Sequence, residues 1–410
     1  MKNRIVAIDT LRGFALLGIL LMNMASFAMP SMAYYNPTVY GGDDIWNRMV
    51  FSFSYIFADQ KMMGLFSMLF GASVMLVTTN MEKKGQNPLW FHYIRNFWLL
   101  IIGLIHATFI WEGDILMIYA ACSFVLYWFR KMSPKWQLGI GLFVFFIPAL
   151  LNLGITAVSP TFTAEDTAYI ETSWQPSADD IANELALYRG NYGDWIDDSW
   201  ESSGATLAAE LIDLSFMVEF FARAFGMMLV GMAFYSWGIL TAKKSPDFYK
   251  KMAWIGFGIG LPMAILSLSL YSINGWDALY STFNGRIPNH IATPFVASGY
   301  IALIMLWSKS SLAVNLQNRF AAVGRMALTN YIGQSLIGTT IFYGFGFGLF
   351  GYLDRVQQLG IIGLIWVFQL LFSTWWLNRF QYGPLEWVWR ILSHRRWQPL
   401  QKKQAAQVVH

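Results

Sequence analysis

A chain of 410 residues that is 56% hydrophobic and only 13% charged, with a mean hydropathy of +0.42, lies outside the composition of soluble domains. The net charge of +4 is carried in short loops, so no nucleic-acid partner is inferred from it. The single cysteine, Cys122, excludes an internal disulfide framework and a cysteine-based metal cluster.

Apolar runs of about 20 residues, each able to cross roughly 30 Å of hydrocarbon as a helix, recur along the chain. They predict an all-α polytopic integral membrane bundle of about ten transmembrane helices. The expected spans are 11–29, 61–81, 92–112, 115–130, 137–158, 213–241, 252–272, 291–308, 326–350 and 359–378. A barrel would show short alternating segments, which are absent. The first run is too long for a signal h-region and lacks an A-x-A exit, so it reads as a retained helix. The basic loops "MKNR", "EKK", "RKMSPK", "KKSPDFYKK", "KSSLAVNLQNR" and "HRRWQPLQKK" fall on one side when the spans alternate. That places both termini in the cytoplasm of a multi-pass protein of the bacterial inner membrane. One integrated membrane domain is expected: a five-helix half at 1–158, an acidic periplasmic helical cap at 159–210, and a second five-helix half with an amphipathic tail at 211–410.

In the first span, "RIVAIDTLRGFALLGILLMN" reads with Asp9 as an N-cap, Arg12 one turn later at the interface, and Asn23 deeper. "FADQKMMG" sets Asp59 and Lys61 at the outer mouth of the second span, to meet a substrate or to cap and snorkel. The third span, "RNFWLLIIGLIHATFIWEGD", carries Arg95 near its cytoplasmic end and His106 eleven residues on. Eleven steps of about 100° return to nearly the same face, roughly 16 Å deeper. A histidine at that depth needs a polar cavity or a partner, and it suits a general base, while an arginine at the mouth suits a phosphate. Asp114 caps the next helix and, with Glu112, is placed to orient the ring.

"MVEFFARAFG" puts Glu219 and Arg223 at i, i+4, where they neutralise each other. His290, in "GRIPNHIATPF", is the other histidine expected near the outer end of the site. "GRMALTNYIGQSL" makes a polar ridge of Arg325, Thr329, Asn330, Gln334 and Ser335 that serves either a substrate or a helix contact. "YGPLEWVWRILSHRR" reads as an interfacial helix with Glu386 and Arg390 paired. No His-x3-His, HExxH, Walker or Rossmann pattern is present, so neither metal catalysis nor a nucleotide-fold site is expected.

The segments "RIVAIDTLRGFALLGILLMN", "LFSMLFGASVML", "GLIHATFIWEGDILMIYA", "GRMALTNYIGQS" and "GPLEWVWR" resemble the YeiB-like bacterial membrane proteins, whose C-terminal half defines domain-of-unknown-function family 418. That family is in turn similar to the transmembrane acyltransferases, including acyltransferase-3 proteins and heparan-alpha-glucosaminide N-acetyltransferase. The resemblance implies transfer of an acyl group from cytoplasmic acyl-CoA, such as acetyl-CoA, to a hydroxyl or amine acceptor on the far side, for example a periplasmic glycan or a lipid. Acyltransferase-3 proteins carry an Arg or Lys, ten intervening residues and the catalytic His; Arg95 and His106 stand at that spacing. Asp9, Arg12 and Gly13 match part of their "LDGLRG" opening, but Asn23 stands where that pattern ends in a histidine. Asparagine does not shuttle a proton at neutral pH.

These readings favour an acyltransferase with His106, Asp114 and Glu112 at the catalytic end and Arg95, Arg12 and Arg325 at the donor end. Asp9, Asn23, Asp59, Lys61, Glu219, Arg223, Asn330 and Gln334 would line the path. The alternatives are a transporter or export factor for a lipid-linked or small organic molecule, and a non-catalytic membrane protein that binds lipid or quinone. A homodimer is compatible with the sequence.

Overall fold

The structure, a computed structural model, describes residues 6–42, 44–198 and 207–402. Parts of "MKNR", "GGDD", "DWIDDSWE" and "HRRWQPLQKK" lie outside the described residues. All regular elements among the described residues are helical.

In chain order, α1 is Val6–Ala28, α2 Ile45–Phe57, α3 Lys61–Glu82, α4 Pro88–Phe109, α5 Leu116–Leu126 and α6 Pro134–Val158. Three short helices follow, α7 at Ala164–Trp174, α8 at Ala178–Tyr188 and α9 at Tyr192–Asp198. The second half comprises α10 at Leu207–Ser236, α11 at Pro246–Ile273, α12 at Ile287–Lys309, α13 at Val314–Arg325, α14 at Ala327–Phe342, α15 at Arg355–Arg379 and α16 at Pro384–His394. Eight segments are long and apolar enough to cross a membrane, which makes this a multi-pass helical bundle. The other two expected spans are shorter: α5 continues into a tight turn at Tyr127–Lys131, and α13 is followed by α14.

The chain punctuates these helices by known means. Asn87 caps α4 with Pro88 in its first turn, Ser245 and Pro246 do the same for α11, and Asp354 with Gln357 forms a capping box on α15. Asp9 is not a cap, because α1 already begins at Val6; it lies in the first turn and pairs with Arg12. Glycines set the close crossing of α1 and α13. A Cβ on Gly13 would stand 2.0 Å from the Phe320 carbonyl oxygen, and one on Gly324 2.0 Å from that of Asp9. The "LRG" and "VGR" segments thus let α1 and α13 touch backbone to backbone.

We call the end carrying Val6 and α16 the inner end, and the opposite end the outer one. At the outer end α8 is tied down by Ser31 N–H donating to Glu184 (2.7 Å), Gly344 N–H to the Tyr188 carbonyl (2.8 Å) and Arg189 Nε to the Phe350 carbonyl (2.7 Å). Helices α8 and α9 therefore cover this end, with Trp195 of α9 packed in one cluster with Tyr343 and Phe350.

The second span is broken. Between α2 and α3 the backbone unwinds at Ala58–Gln60, with Gln60 at φ +62°. Ala58 packs with Ile19 of α1, so the break lies inside the bundle. Lys61 does not snorkel: it is fully buried, donating to the Tyr55 carbonyl (2.8 Å) and to Asn289.

Candidate functional site

One face of α4 is a stripe of His92, Asn96, Leu99, Gly103 and His106 at steps of three and four, the period of a helix with a single buried side. His106 at its outer end has no solvent exposure. Its Nδ1 donates to Asp114 Oδ2 at 2.7 Å, with both side chains buried. Asp114 Oδ1 accepts from Met117 N–H at 2.8 Å and so caps the start of α5. One carboxylate thus performs both roles read from the sequence. An ionised carboxylate only accepts, so this bond holds a proton on Nδ1, and the lone pair of the neutral form of the ring is then at Nε2. That Nε2 is buried and has no hydrogen-bond partner.

Aromatic rings enclose the imidazole. Tyr331 of α14 lies 5.2 Å away, ring to ring, and its hydroxyl accepts from Ile115 N–H at 3.2 Å. Trp111 lies at 6.4 Å and packs on Phe27 of α1 at 4.3 Å. The Trp111 indole N–H is also buried without a partner. Two buried polar atoms without a partner among the described residues therefore lie in the same aromatic cluster, where an unmade hydrogen bond is costly.

Glu112 does not join His106. It accepts from Tyr188 of α8 at 2.9 Å and links the covering segment to the α4–α5 turn. Asn23 is half-buried on α1 and makes no hydrogen bond to His106 among the described residues. His290 is not at this site either: its Nε2 bonds the Phe145 carbonyl at 2.6 Å and its ring stacks on Phe145 at 4.1 Å.

Near the inner end, Arg95 is half-buried, its guanidinium 4.3 Å over the Trp389 ring of α16, while Trp389 Nε1 donates to the Arg95 carbonyl at 2.8 Å. Arg12 and Arg390 are its cationic neighbours, and no carboxylate pairs with it among the described residues. Arg12 is held by Asp9 at 3.1 Å and by the Gly324 carbonyl at 3.4 Å. Arg325 reaches the Gln381 carbonyl at 3.4 Å. Between Arg95 and His106 the stripe is packed: Leu99 belongs to a cluster with Leu16, Leu17, Val323, Leu328 and Ile332. A separate groove of about 650 Å³ between α4 and α16 is lined by Trp90, Phe97, Arg395, Arg396 and Trp397.

Glu386 does not pair with Arg390. It accepts from Leu328 N–H (2.7 Å), Thr329 N–H (3.1 Å) and the Thr329 hydroxyl (2.6 Å), thereby capping α14. Arg390 lies over the Tyr382 ring instead. Asn330 and Gln334 face α15, where Asn330 bonds Ser373 at 2.9 Å and Gln334 bonds Gln369 at 2.9 Å.

A second polar group occupies the broken span. Asp59 accepts from the Tyr34 hydroxyl (2.7 Å) and from Asn289 (2.8 Å), and Asn289 accepts from Lys61. Glu219 accepts from Arg223 at 2.9 Å, as the i, i+4 spacing implied, and lies 3.5 Å from Arg286. Sequence reading missed Tyr331, Arg286, Asn289 and Trp389. Tyr331, Asn289 and Trp389 each sit one position from a residue already singled out, and Arg286 four before His290.

Comparison with known proteins gives the relationship. The chain is 31% identical over 404 residues to "Uncharacterized protein YeiB" of Escherichia coli, covering 96% of this chain and 97% of that one. It is likewise 31% identical over 424 residues to "Uncharacterized protein YxaH" of Bacillus subtilis, covering 98% and 97%. Residues 234–396 match the family described as "Protein of unknown function (DUF418)". The chain belongs to the YeiB-like DUF418 family. The matched region of this YeiB-like protein runs from the end of α10 through α16 and so holds Tyr331 and Trp389, while His106, Asp114 and Arg95 come from the other half. The candidate site is therefore assembled from both halves.

Proposed function

We propose that this protein is an inner-membrane acyltransferase that moves an acetyl-like group from cytoplasmic acyl-CoA to a hydroxyl or amine acceptor at the outer face. The observation that carries this reading is the buried His106–Asp114 pair, its Nε2 without a hydrogen-bond partner among the described residues, on the same helix as a half-buried arginine eleven residues, about three turns, before it. Arg95, with Arg12 and Arg325 nearby in the inner half, binds the donor phosphates; guanidinium groups match phosphate by bidentate donation. The thioester reaches His106 along α4, which requires Leu99 and its apolar neighbours to part.

At the outer end His106 Nε2 takes the proton from the acceptor hydroxyl or amine as its oxygen or nitrogen attacks the thioester carbonyl carbon. Asp114 holds the ring and stabilises the imidazolium that forms. The C–S bond then breaks and the departing thiolate receives that proton, leaving free CoA and the acylated acceptor. A two-step variant has Nε2 itself carry the acyl group.

A second reading, transport of a small organic molecule, is favoured by the unwound span at Ala58–Gln60, since broken helices mark substrate sites in many transporters. One experiment separates the two. Purified protein is given acetyl-CoA with and without periplasmic extract, and free CoA is followed in wild type, His106→Ala and Arg95→Ala. Acyl transfer predicts release that depends on His106 and CoA binding that depends on Arg95. Neither dependence, together with proton-coupled flux in liposomes, would replace it with transport.

A further inference from the structure

A cleft of about 50 Å³ opens between α1, α2 and α15, across α1 from the His106 chamber; Met24 both lines it and packs in the cluster that holds Trp111. Its charged walls are Arg355 and Asp59, with Tyr34, Tyr55, Phe51 and Gln358 around them. Neither the acyl-transfer reading nor the family relationship gives this cleft a role.

Arg355 is only 5% exposed. Its Nη2 donates to the Ala33 carbonyl at 2.7 Å and the Tyr40 carbonyl at 3.3 Å, and its plane lies 5.2 Å from the Phe51 ring. Its Nε is buried with no partner, and no carboxylate forms an ion pair with it among the described residues. A guanidinium does not escape the cost of burial by losing its proton, so Arg355 keeps a buried donor unmatched and a positive charge that no direct ion pair among the described residues neutralises.

Three features select the anion. The volume is about that of one or two water molecules, enough for a carboxylate group. Asp59, already accepting from Tyr34 and Asn289, lines the same cleft and repels added negative charge, a phosphate dianion more than a monoanion. The remaining wall, at Leu21, Met24 and Ile362, is apolar and suits a short alkyl chain.

We propose that this cleft is a binding site for a small monocarboxylate, held by Arg355 in the outer half of the bundle. The inference does not depend on acyl transfer at His106.

The test is thermal unfolding of the full-length protein in detergent at neutral pH, titrated with sodium acetate against sodium chloride and sodium phosphate at matched ionic strength. Acetate is expected to raise the midpoint saturably in wild type, with no saturable effect of chloride or phosphate. Arg355→Gln is expected to weaken apparent acetate affinity at least tenfold. Gln358→Glu keeps Arg355 and its carbonyl clamps, gives up the Gln358 Nε2 bond to the Leu353 carbonyl, and places a carboxylate on the cleft lining three residues along the same helix, where it competes for Arg355. That variant is expected to fold and to lose the acetate response. Its behaviour decides the matter even if Arg355→Gln does not fold. An acetate effect no larger than that of chloride, an equal effect of phosphate, or an undiminished response in Gln358→Glu would overturn the proposal.

Discussion

Replacing Asp114 by asparagine separates the two tasks of this carboxylate. In the wild type Oδ1 accepts from Met117 N–H and Oδ2 accepts from His106 Nδ1. An asparagine that keeps its oxygen on Met117 must turn its amide toward His106 and donate to Nδ1. The ring then moves its proton to Nε2, and the lone pair that would act as base is gone. Helix capping survives, since asparagine caps as well as aspartate. Fold stability should fall by no more than about 1–2 kcal/mol, the difference between a charge-assisted and a neutral hydrogen bond. Activity should fall on the order of 10²- to 10⁴-fold, the usual share of general-base catalysis. Asp114→Ala should behave differently: about 1 kcal/mol from the lost cap and about 1–3 kcal/mol from a stranded imidazole N–H give roughly 2–4 kcal/mol of destabilisation. The assays are CoA release, thermal unfolding in detergent, and nitrogen NMR of the histidine tautomer. Full activity in Asp114→Asn with a proton on Nε2 would refute the reasoning.

Gly13→Ala should abolish well-folded material or lower its unfolding midpoint sharply, because the new methyl group meets the Phe320 carbonyl oxygen at 2.0 Å; size-exclusion yield and midpoint check this. Glu219→Gln leaves Arg223 and Arg286 without their carboxylate and should cost about 3–5 kcal/mol, part of which returns in Glu219→Gln with Arg223→Met; denaturation of the single and double variants tests it. The Asp44 carboxyl, at the outer start of α2, is held below the usual range by the Asn47 side chain and by the backbone N–H groups of Asn47 and Trp46. A depressed acid stabilises the fold above its unfolded value of about 3.9 and loses that contribution as pH falls through the folded value. Protection of the first turn of α2, measured against intrinsic amide exchange at each pH, should therefore fall on acidification and lose this dependence in Asp44→Asn; an unchanged profile in that variant would remove Asp44 as the cause.

The bundle was legible because hydrophobic run length maps directly onto span number, and the Glu219–Arg223 pair because i, i+4 spacing is geometry. The His106–Asp114 contact was readable too: a short turn between two antiparallel helices can bring residues eight apart together. What escaped depends on facing and distance along the chain. The carbonyls that clamp Arg355 belong to the connection after α1, more than 300 residues earlier, and its missing counter-charge appears only when every neighbour is placed. Lys61 looked like an interfacial lysine because it stands where the apolar run of α3 begins; that it is buried, bonded to Asn289 and the Tyr55 carbonyl, appears only when α2 and α12 are placed. Glu386 has an arginine four residues on, yet bonds the open amide groups at the start of α14, a tertiary choice over a local one.

The most direct test of the account uses the protein in sealed liposomes, with acetyl-CoA bearing a labelled acetyl group on the side of the inner end and a mixture of periplasmic glycans and lipids on the other. Wild type should release CoA on the donor side and move label to an acceptor on the far side, and His106→Ala should do neither while folding normally. Equal transfer by His106→Ala, or none by folded wild type with any acceptor supplied, would contradict it.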